Sequence, residues 1–229
     1  NPGPIIGGRD RETDQEFRER YAKSVDKPGG SNADAIRAGI LEVEGVVEAS
    51  VWENETDETD EDGLPPHSVE AIVYGGPDAG IATAIHARKS AGIQTNGDKS
   101  YKLMDASGRM RTIYFSRPTT VPIYVRISDL QTDSGYAGDD AIKTTLIQYI
   151  GTDEGDLTAS GLGIGESVYY NRLLCPINAV PGVVDYSLSI NSNGTLFGQR
   201  NITLTGRQKA VTDGEKITIT PKEEGGGIL

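Results

Sequence analysis

The chain runs to 229 residues, 36% of them hydrophobic and 24% charged, enough to bury a core but with little apolar surplus. Its 22 basic and 34 acidic residues leave a net charge of −12, which disfavours nucleic acid and anionic membrane surfaces as partners, because both are held through Lys and Arg. The single cysteine, Cys175, excludes an intrachain disulfide and fits folding in a reducing cytoplasm, and no run approaches the ~18–20 apolar residues of a membrane span.

The opening Asn1-Pro2-Gly3-Pro4 lacks an initiator methionine, so the chain is expected to be a fragment or processed product, with residues 1–10 left from a linker. Residues 13–23 follow as a helix whose Phe17 and Tyr21 stand at i, i+4 with charge on the other sides. So narrow a seam suggests a helix that lies on a domain surface or bridges two domains. Pro28-Gly29-Gly30 breaks it. Ser31-Asn32-Ala33-Asp34 then opens a second helix with capping-box spacing, its buried stripe formed by Ile36, Ile40 and Leu41 and its end near Gly45.

Residues 46–53 and 68–74 read as strands, alternating through Val47, Ala49 and Val51 and through Val69, Ala71 and Val73, with an acidic loop over 54–66 between them. Pro77-Asp78 starts a helix carrying Ile81, Ala84, Ile85 and Arg88 and stopped by Gly92. Residues 101–104 and 109–115 form a hairpin about Ala106-Ser107-Gly108. Pro118-Thr119-Thr120-Val121-Pro122 is the expected boundary between a first module over 11–117 and a second over 118–221.

The second module opens with a strand over 123–128 and a helix capped at Asp139 or Asp140, with Ile142, Leu146, Tyr149 and Ile150 on its apolar face and Gly151 at its end. A helix over 167–175 is expected to bend or break at Pro176, which has no amide hydrogen. A strand over 183–190, an Asn193-Gly194 turn, candidate strands over 201–205 and 216–220, and a disordered tail over 222–229 complete the chain. The implied class is α+β: two small α/β modules, each a few-stranded mixed or antiparallel sheet packed by two helices, plus hairpins.

Motifs for chemistry are weak. Asp57-Glu58-Thr59-Asp60-Glu61-Asp62-Gly63 resembles part of an EF-hand loop, but Glu58 stands where Asp should open it and Val69 where the closing Glu belongs, so a solvated connector is the better reading. His67 and His86 are the only histidines and lack partners at metal-ligand spacing, and Cys175 reads as a small buried side chain on a helix. Gly161-Leu162-Gly163-Ile164-Gly165-Glu166-Ser167 lacks a P-loop lysine and reads as a flexible approach to a helix, with Glu166 or Ser167 near its N-terminus. No catalytic, cofactor or metal site is predicted. The candidate site is an interface at Phe17 and Tyr21.

One internal similarity stands out. Val43-Glu44-Gly45-Val46-Val47-Glu48-Ala49-Ser50-Val51 aligns without gaps to Val180-Pro181-Gly182-Val183-Val184-Asp185-Tyr186-Ser187-Leu188, and Ile36 and Ile40 match Leu173 and Ile177. Both read as helix, left-handed glycine turn and strand. Each half would then hold one helix-to-strand unit and one strand-to-helix unit, in opposite order.

The order of elements over 8–45 resembles the baseplate J-like proteins of contractile phage tails and prophages. Later segments carry the same resemblance. They are Pro65-Pro66-His67-Ser68-Val69-Glu70-Ala71-Ile72-Val73-Tyr74-Gly75-Gly76 with its helix, Arg117-Pro118-Thr119-Thr120-Val121-Pro122-Ile123-Tyr124-Val125, Gly161-Leu162-Gly163-Ile164-Gly165-Glu166 and Val180-Pro181-Gly182-Val183-Val184. The resemblance implies the middle and C-terminal regions of a structural wedge protein. Its expected partners are copies of itself and other wedge subunits in a ring about the tail hub, with no nucleic acid and no membrane span. It would be assembled in the bacterial host cytoplasm and reside in the virion tail baseplate. The family carries no catalytic residues and no cofactor. A tail-associated cell-wall hydrolase, which needs converging carboxylates or a metal in a deep pocket, and a carbohydrate-binding tail module, which exposes aromatic platforms, are the alternatives.

Overall fold

The computed structural model describes residues 32–153 and 161–222. Over these residues the chain is an α+β fold of four helices and several small mixed or antiparallel sheets. The order begins α1 (Ala33–Leu41), β1 (Val46–Asn54), β2 (Ser68–Gly75), α2 (Asp78–Arg88), β3 (Gln94–Asn96), β4 (Lys99–Met104) and β5 (Met110–Phe115). It continues β6 (Thr119–Pro122), β7 (Tyr124–Thr132), α3 (Asp139–Ile150), α4 (Tyr170–Asn178), β8 (Val183–Asn191), β9 (Gln208–Val211) and β10 (Ile217–Pro221). The helix expected over 13–23 lies outside the described residues, as do Ser31 and residues 223–229 of the tail.

Two apolar clusters form. The first packs Ile36 and Ile40 of α1 and Ile81 and Ile85 of α2 against Ala49, Val69, Ala71 and Val73, with Ile113 and Phe115 from the hairpin. The second packs Ile142, Leu146 and Ile150 of α3 and Leu173 and Ile177 of α4 against Val125, Ile127, Leu188, Ile190 and Ile217. Helix α1 is capped by Asn32, whose side chain accepts from the Ala35 N–H at 2.9 Å. Its stripe is Ala35, Ile36 and Ile40, whereas Leu41 is 37% exposed. Leu41 sits a full residue step round the helix from Ile40, beyond the face that meets the sheet.

The central strand β2 departs most from the expected half-buried alternation, because every residue from Ser68 to Tyr74 is buried. Val69, Ala71 and Val73 face the helices, as their period suggests. Opposite them, Glu70 and Tyr74 meet residues of the second half rather than water. Strand β1 follows suit: its register sets Glu48 beside Tyr74 and Trp52 beside Glu70.

Other local departures have equally local causes. Helix α3 is preceded by Gly138 at φ 97° with no side-chain cap, and Asp139 instead accepts a 2.6 Å bond from the Tyr136 hydroxyl. Helix α4 starts at Tyr170 because Val168 is tied into an antiparallel bridge with Ile202, which is all that forms of the strand expected over 201–205. Pro176 sits inside α4 without ending it. It removes one late helical bond, and the Ala179 N–H still reaches the Cys175 carbonyl at 3.1 Å. The stretch expected to hold the boundary between modules contains β6, which pairs in parallel with the unanticipated β9.

The internal similarity is reproduced in three dimensions. In one copy the Val43 N–H bonds Ile40 O at 3.0 Å and the Val46 N–H bonds Val43 O at 3.1 Å; in the other, Val180 bonds Ile177 at 3.1 Å and Val183 bonds Val180 at 3.4 Å. The glycines between them have φ of 81° at Gly45 and 79° at Gly182. Each unit then delivers a strand antiparallel to a central one, β1 on β2 and β8 on β7, and each central strand carries a parallel neighbour on its other side, β3 or β10. The units run α1-β1 then β2-α2 in the first half, and β7-α3 then α4-β8 in the second.

The two glycines differ in surroundings, and this separates backbone strain from steric overlap. A Cβ on Gly45 would come no nearer than 3.5 Å to another group, whereas one on Gly182 would overlap the backbone of Tyr136. Gly45→Ala is expected to cost about 1–2 kcal/mol from its left-handed conformation alone, and Gly182→Ala roughly 1–3 kcal/mol more. Equilibrium denaturation of the two variants checks the order.

Candidate functional site

Phe17 and Tyr21 lie outside the described residues. Of the other residues weighed in the sequence, Cys175 is on a helix as expected but exposed, not buried. His67 lies at φ 50° and pairs with Asp57 at 2.8 Å, while His86 sits in the last turn of α2. Among the described residues no group of three or more His, Cys, Asp or Glu could hold a metal ion, and no helix is long and apolar enough to cross a membrane.

The acidic loop is built around Asn54, which is 3% exposed. Its amide donates to Glu58 O and Leu64 O at 2.8 Å and to Pro65 O at 3.2 Å. Its carbonyl oxygen accepts from the Thr56 N–H and hydroxyl at 2.9 and 2.7 Å. With Leu64 fully buried below, the loop has a fixed backbone and an exposed rim that includes Glu55, Asp57, Glu58, Glu61 and Asp62.

The glycine-rich segment is pinned rather than flexible, and it receives an anion from within the chain. The Ile164 N–H donates to Glu48 Oε1 at 2.7 Å, and Gly163 leaves the room, since a Cβ there would come 3.0 Å from that oxygen. Glu48 Oε2 accepts from Lys209 Nζ at 3.1 Å. Lys209, fully buried, also donates to Leu162 O at 2.6 Å and lies 4.9 Å from the centre of the Tyr74 ring. Tyr74 donates to Thr152 O at 2.7 Å; burial first, and then the charge of Asp153, raises its hydroxyl pKa.

A second ionic contact lies alongside. Arg207 reaches Glu70 at 2.5 Å and Asp62 O at 2.7 Å, and its guanidinium stands 4.8 Å from the Trp52 ring centre. Glu70 is 5% exposed and also accepts from the Ser116 hydroxyl. Gly206 admits Trp52: a Cβ there would overlap the indole. Glu48, Trp52, Glu70 and Tyr74 thus form one sheet face of the first half, set against Leu162, Ile164, Arg207 and Lys209 of the second. Sequence reading missed it, though Glu48, Ser50 and Trp52 stand at period two opposite Val47, Ala49 and Val51, a polar stripe that a buried partner face explains.

At the other side of the first half, a groove of about 560 Å³ separates the C-terminal end of α2 from the β4–β5 hairpin, with His86, Lys89, Gln94, Arg111 and Tyr114 among its lining residues. Lys89 donates to Ile93 O at 2.8 Å; burial first, then nearby Arg111, lowers the pKa of its ammonium. Arg111 bonds Asp105 at 2.9 Å. Bonds from the Ser107 hydroxyl, the Arg109 N–H and Arg111 hold the Asp105 carboxyl well below the usual carboxylate range. The hairpin leaves Met104, Met110 and Tyr114 exposed at 67%, 58% and 44%.

The joint between the halves depends on pairing, because a buried charge that loses its partner costs far more than the pair contributes. Lys209→Met is expected to destabilise the chain by about 1–3 kcal/mol, because the half-buried Glu48 carboxylate loses its cation and Leu162 O its buried donor. Adding Glu48→Gln is expected to recover part of that loss, a non-additivity that denaturation midpoints of the two single variants and the double variant would reveal.

No protein-family model matches the chain, and no curated protein does. Among solved structures the chain is similar to a chain in the cryo-electron microscopy structure of the anti-feeding prophage baseplate, determined with six-fold symmetrisation. The two superpose with a TM-score of 0.55 at 15% sequence identity, over 91% of this chain and 43% of that one. The chain therefore spans less than half the length of its structural relative, with which it shares a fold.

Proposed function

We propose that this protein is a structural component of a contractile phage or prophage tail baseplate, a wedge subunit that works through protein–protein contacts rather than catalysis. The observation that carries this reading is a fold shared with a baseplate chain across nine-tenths of the present chain. The resemblance to baseplate J-like proteins supports it independently of that superposition, through the ordered segments from residue 8 to 190. In this reading the modules are 11–117 and 118–221, the partners are wedge subunits including further copies, and the site of residence is the virion tail after assembly in the host cytoplasm.

The chemistry of the carboxylates at the joint favours the same reading. Glu48 and Glu70 are each held by a cation and further hydrogen-bond donors. That arrangement fixes two charges at a joint, whereas a glycoside hydrolase needs a pair of carboxylates free to exchange protons across a substrate. Rigid modules locked together suit a part that transmits geometry between neighbours.

Particles produced with and without this chain provide the test. Antibody labelling followed by electron microscopy is expected to mark one end of the tail, and particles lacking the chain are expected to have no complete baseplate. Complete, unlabelled baseplates in its absence would refute the proposal. Phe17 and Tyr21 are proposed as a docking seam for a wedge neighbour, so Phe17→Asp with Tyr21→Asp is expected to leave the chain folded but to reduce its incorporation into particles; unchanged incorporation removes that assignment.

A further inference from the structure

The charge of this chain is unevenly distributed. Residues 53–62 contain seven acidic residues and no basic ones, whereas residues 89–111 contain five basic and two acidic ones in a chain of net charge −12. These two segments are the rim of the Asn54-centred loop and the groove with its hairpin. Their placement follows from the sheet register: Asn54 pairs with Ser68, Ser68 pairs with Gln94, and Gln94 lines the groove. Loop and groove therefore open at the same end of the β1-β2-β3 sheet.

Neither segment satisfies the other within one chain. Glu53, Glu55, Glu58, Glu61 and Asp62 make no ion pair among the described residues; Asp57 pairs with His67. Asn54 holds the loop backbone against its own base. In the groove, burial first and then the nearby Arg111, itself bonded to Asp105, disfavour the charge of Lys89, and the buried Nδ1 of His86 makes no hydrogen bond. Cations crowded beside an unpartnered ring nitrogen suit an acidic, hydrogen-bonding ligand.

We propose that the groove between α2 and the β4–β5 hairpin receives the acidic 53–62 loop of a second copy of this chain. The inference rests on the baseplate reading for its context and on charge complementarity for its partner. Because loop and groove share one end of the molecule, a two-fold axis sets each groove on the other copy's loop and makes the same contact twice. The loop's fixed backbone lowers the ordering cost of binding. Met104 and Met110 are exposed on the hairpin that forms one wall of the groove, and flexible thioethers adapt to a neighbouring surface.

Sedimentation of the full chain at low and high salt tests this, with two charge-reversed variants: Lys89→Glu in the groove with Arg109→Glu in the turn of its hairpin, and Glu58→Lys with Glu61→Lys in the loop. The wild-type chain is expected to self-associate, with a dissociation constant about tenfold weaker at high salt as the charges are screened. Each variant alone is expected to be monomeric, and an equimolar mixture of the two to associate again, which also shows that both are folded. A monomeric wild-type chain, self-association of either variant alone at the wild-type strength, or a mixture that stays monomeric would overturn the proposal. Tail labelling is read separately: a chain that marks the tail end but does not self-associate refutes only this contact, and one that self-associates without marking the tail refutes only the baseplate assignment.

Discussion

The carboxylate of Glu48 joins two halves that each have their own apolar core. One oxygen takes the Ile164 N–H and the other takes the buried ammonium of Lys209, so a strand of the first half is fastened to a loop and a strand of the second. The ammonium of Lys209 is cut off from water, and a polar group in such surroundings must find partners or carry a full desolvation penalty. The cost falls on any arrangement that shifts the halves relative to each other. A purely apolar joint would tolerate sliding; this one has an ionic register. Trp52 against Gly206, with Arg207 over its ring, adds a shape constraint to the electrostatic one.

The elements legible in sequence were those whose signal is local. Alternating valines marked β1 and β2, Pro77 marked the approach to α2, and Ala106-Ser107-Gly108 marked the hairpin turn. The errors lie where a distant partner decides. Strand β9 carries Lys209, a residue that reads as solvent-facing until Glu48 is brought to it from 161 positions away. Strand β6 (Thr119–Pro122) was missed for the same reason, since it forms only by pairing with that same strand. The joint could be seen in part as a polar stripe on β1, but its complement lies in Leu162, Ile164 and Lys209, whose spacing in sequence shows no period.

The paired units explain how one packing scheme serves both apolar clusters. Each uses a helix, a left-handed glycine and an antiparallel strand to flank a central strand, and each adds a parallel strand on the opposite edge. Reversing the order of the units along the chain leaves this local packing intact while changing where the connections emerge. The first half consequently places its long β1–β2 connection at one end of its sheet, where it becomes the acidic loop. In the second half, β7 and β8 are separated by two helices.

Asn54 has an effect beyond the loop it organises. Because Asn54, with Thr56 and Asp60, sets the backbone path, Glu55, Glu58 and Glu61 on the rim contribute little to its shape. They are free to diverge in charge and size while the loop keeps its form, so a lineage could change what the loop recognises without refolding the sheet beneath it. Specificity and architecture are thereby separated within a dozen residues.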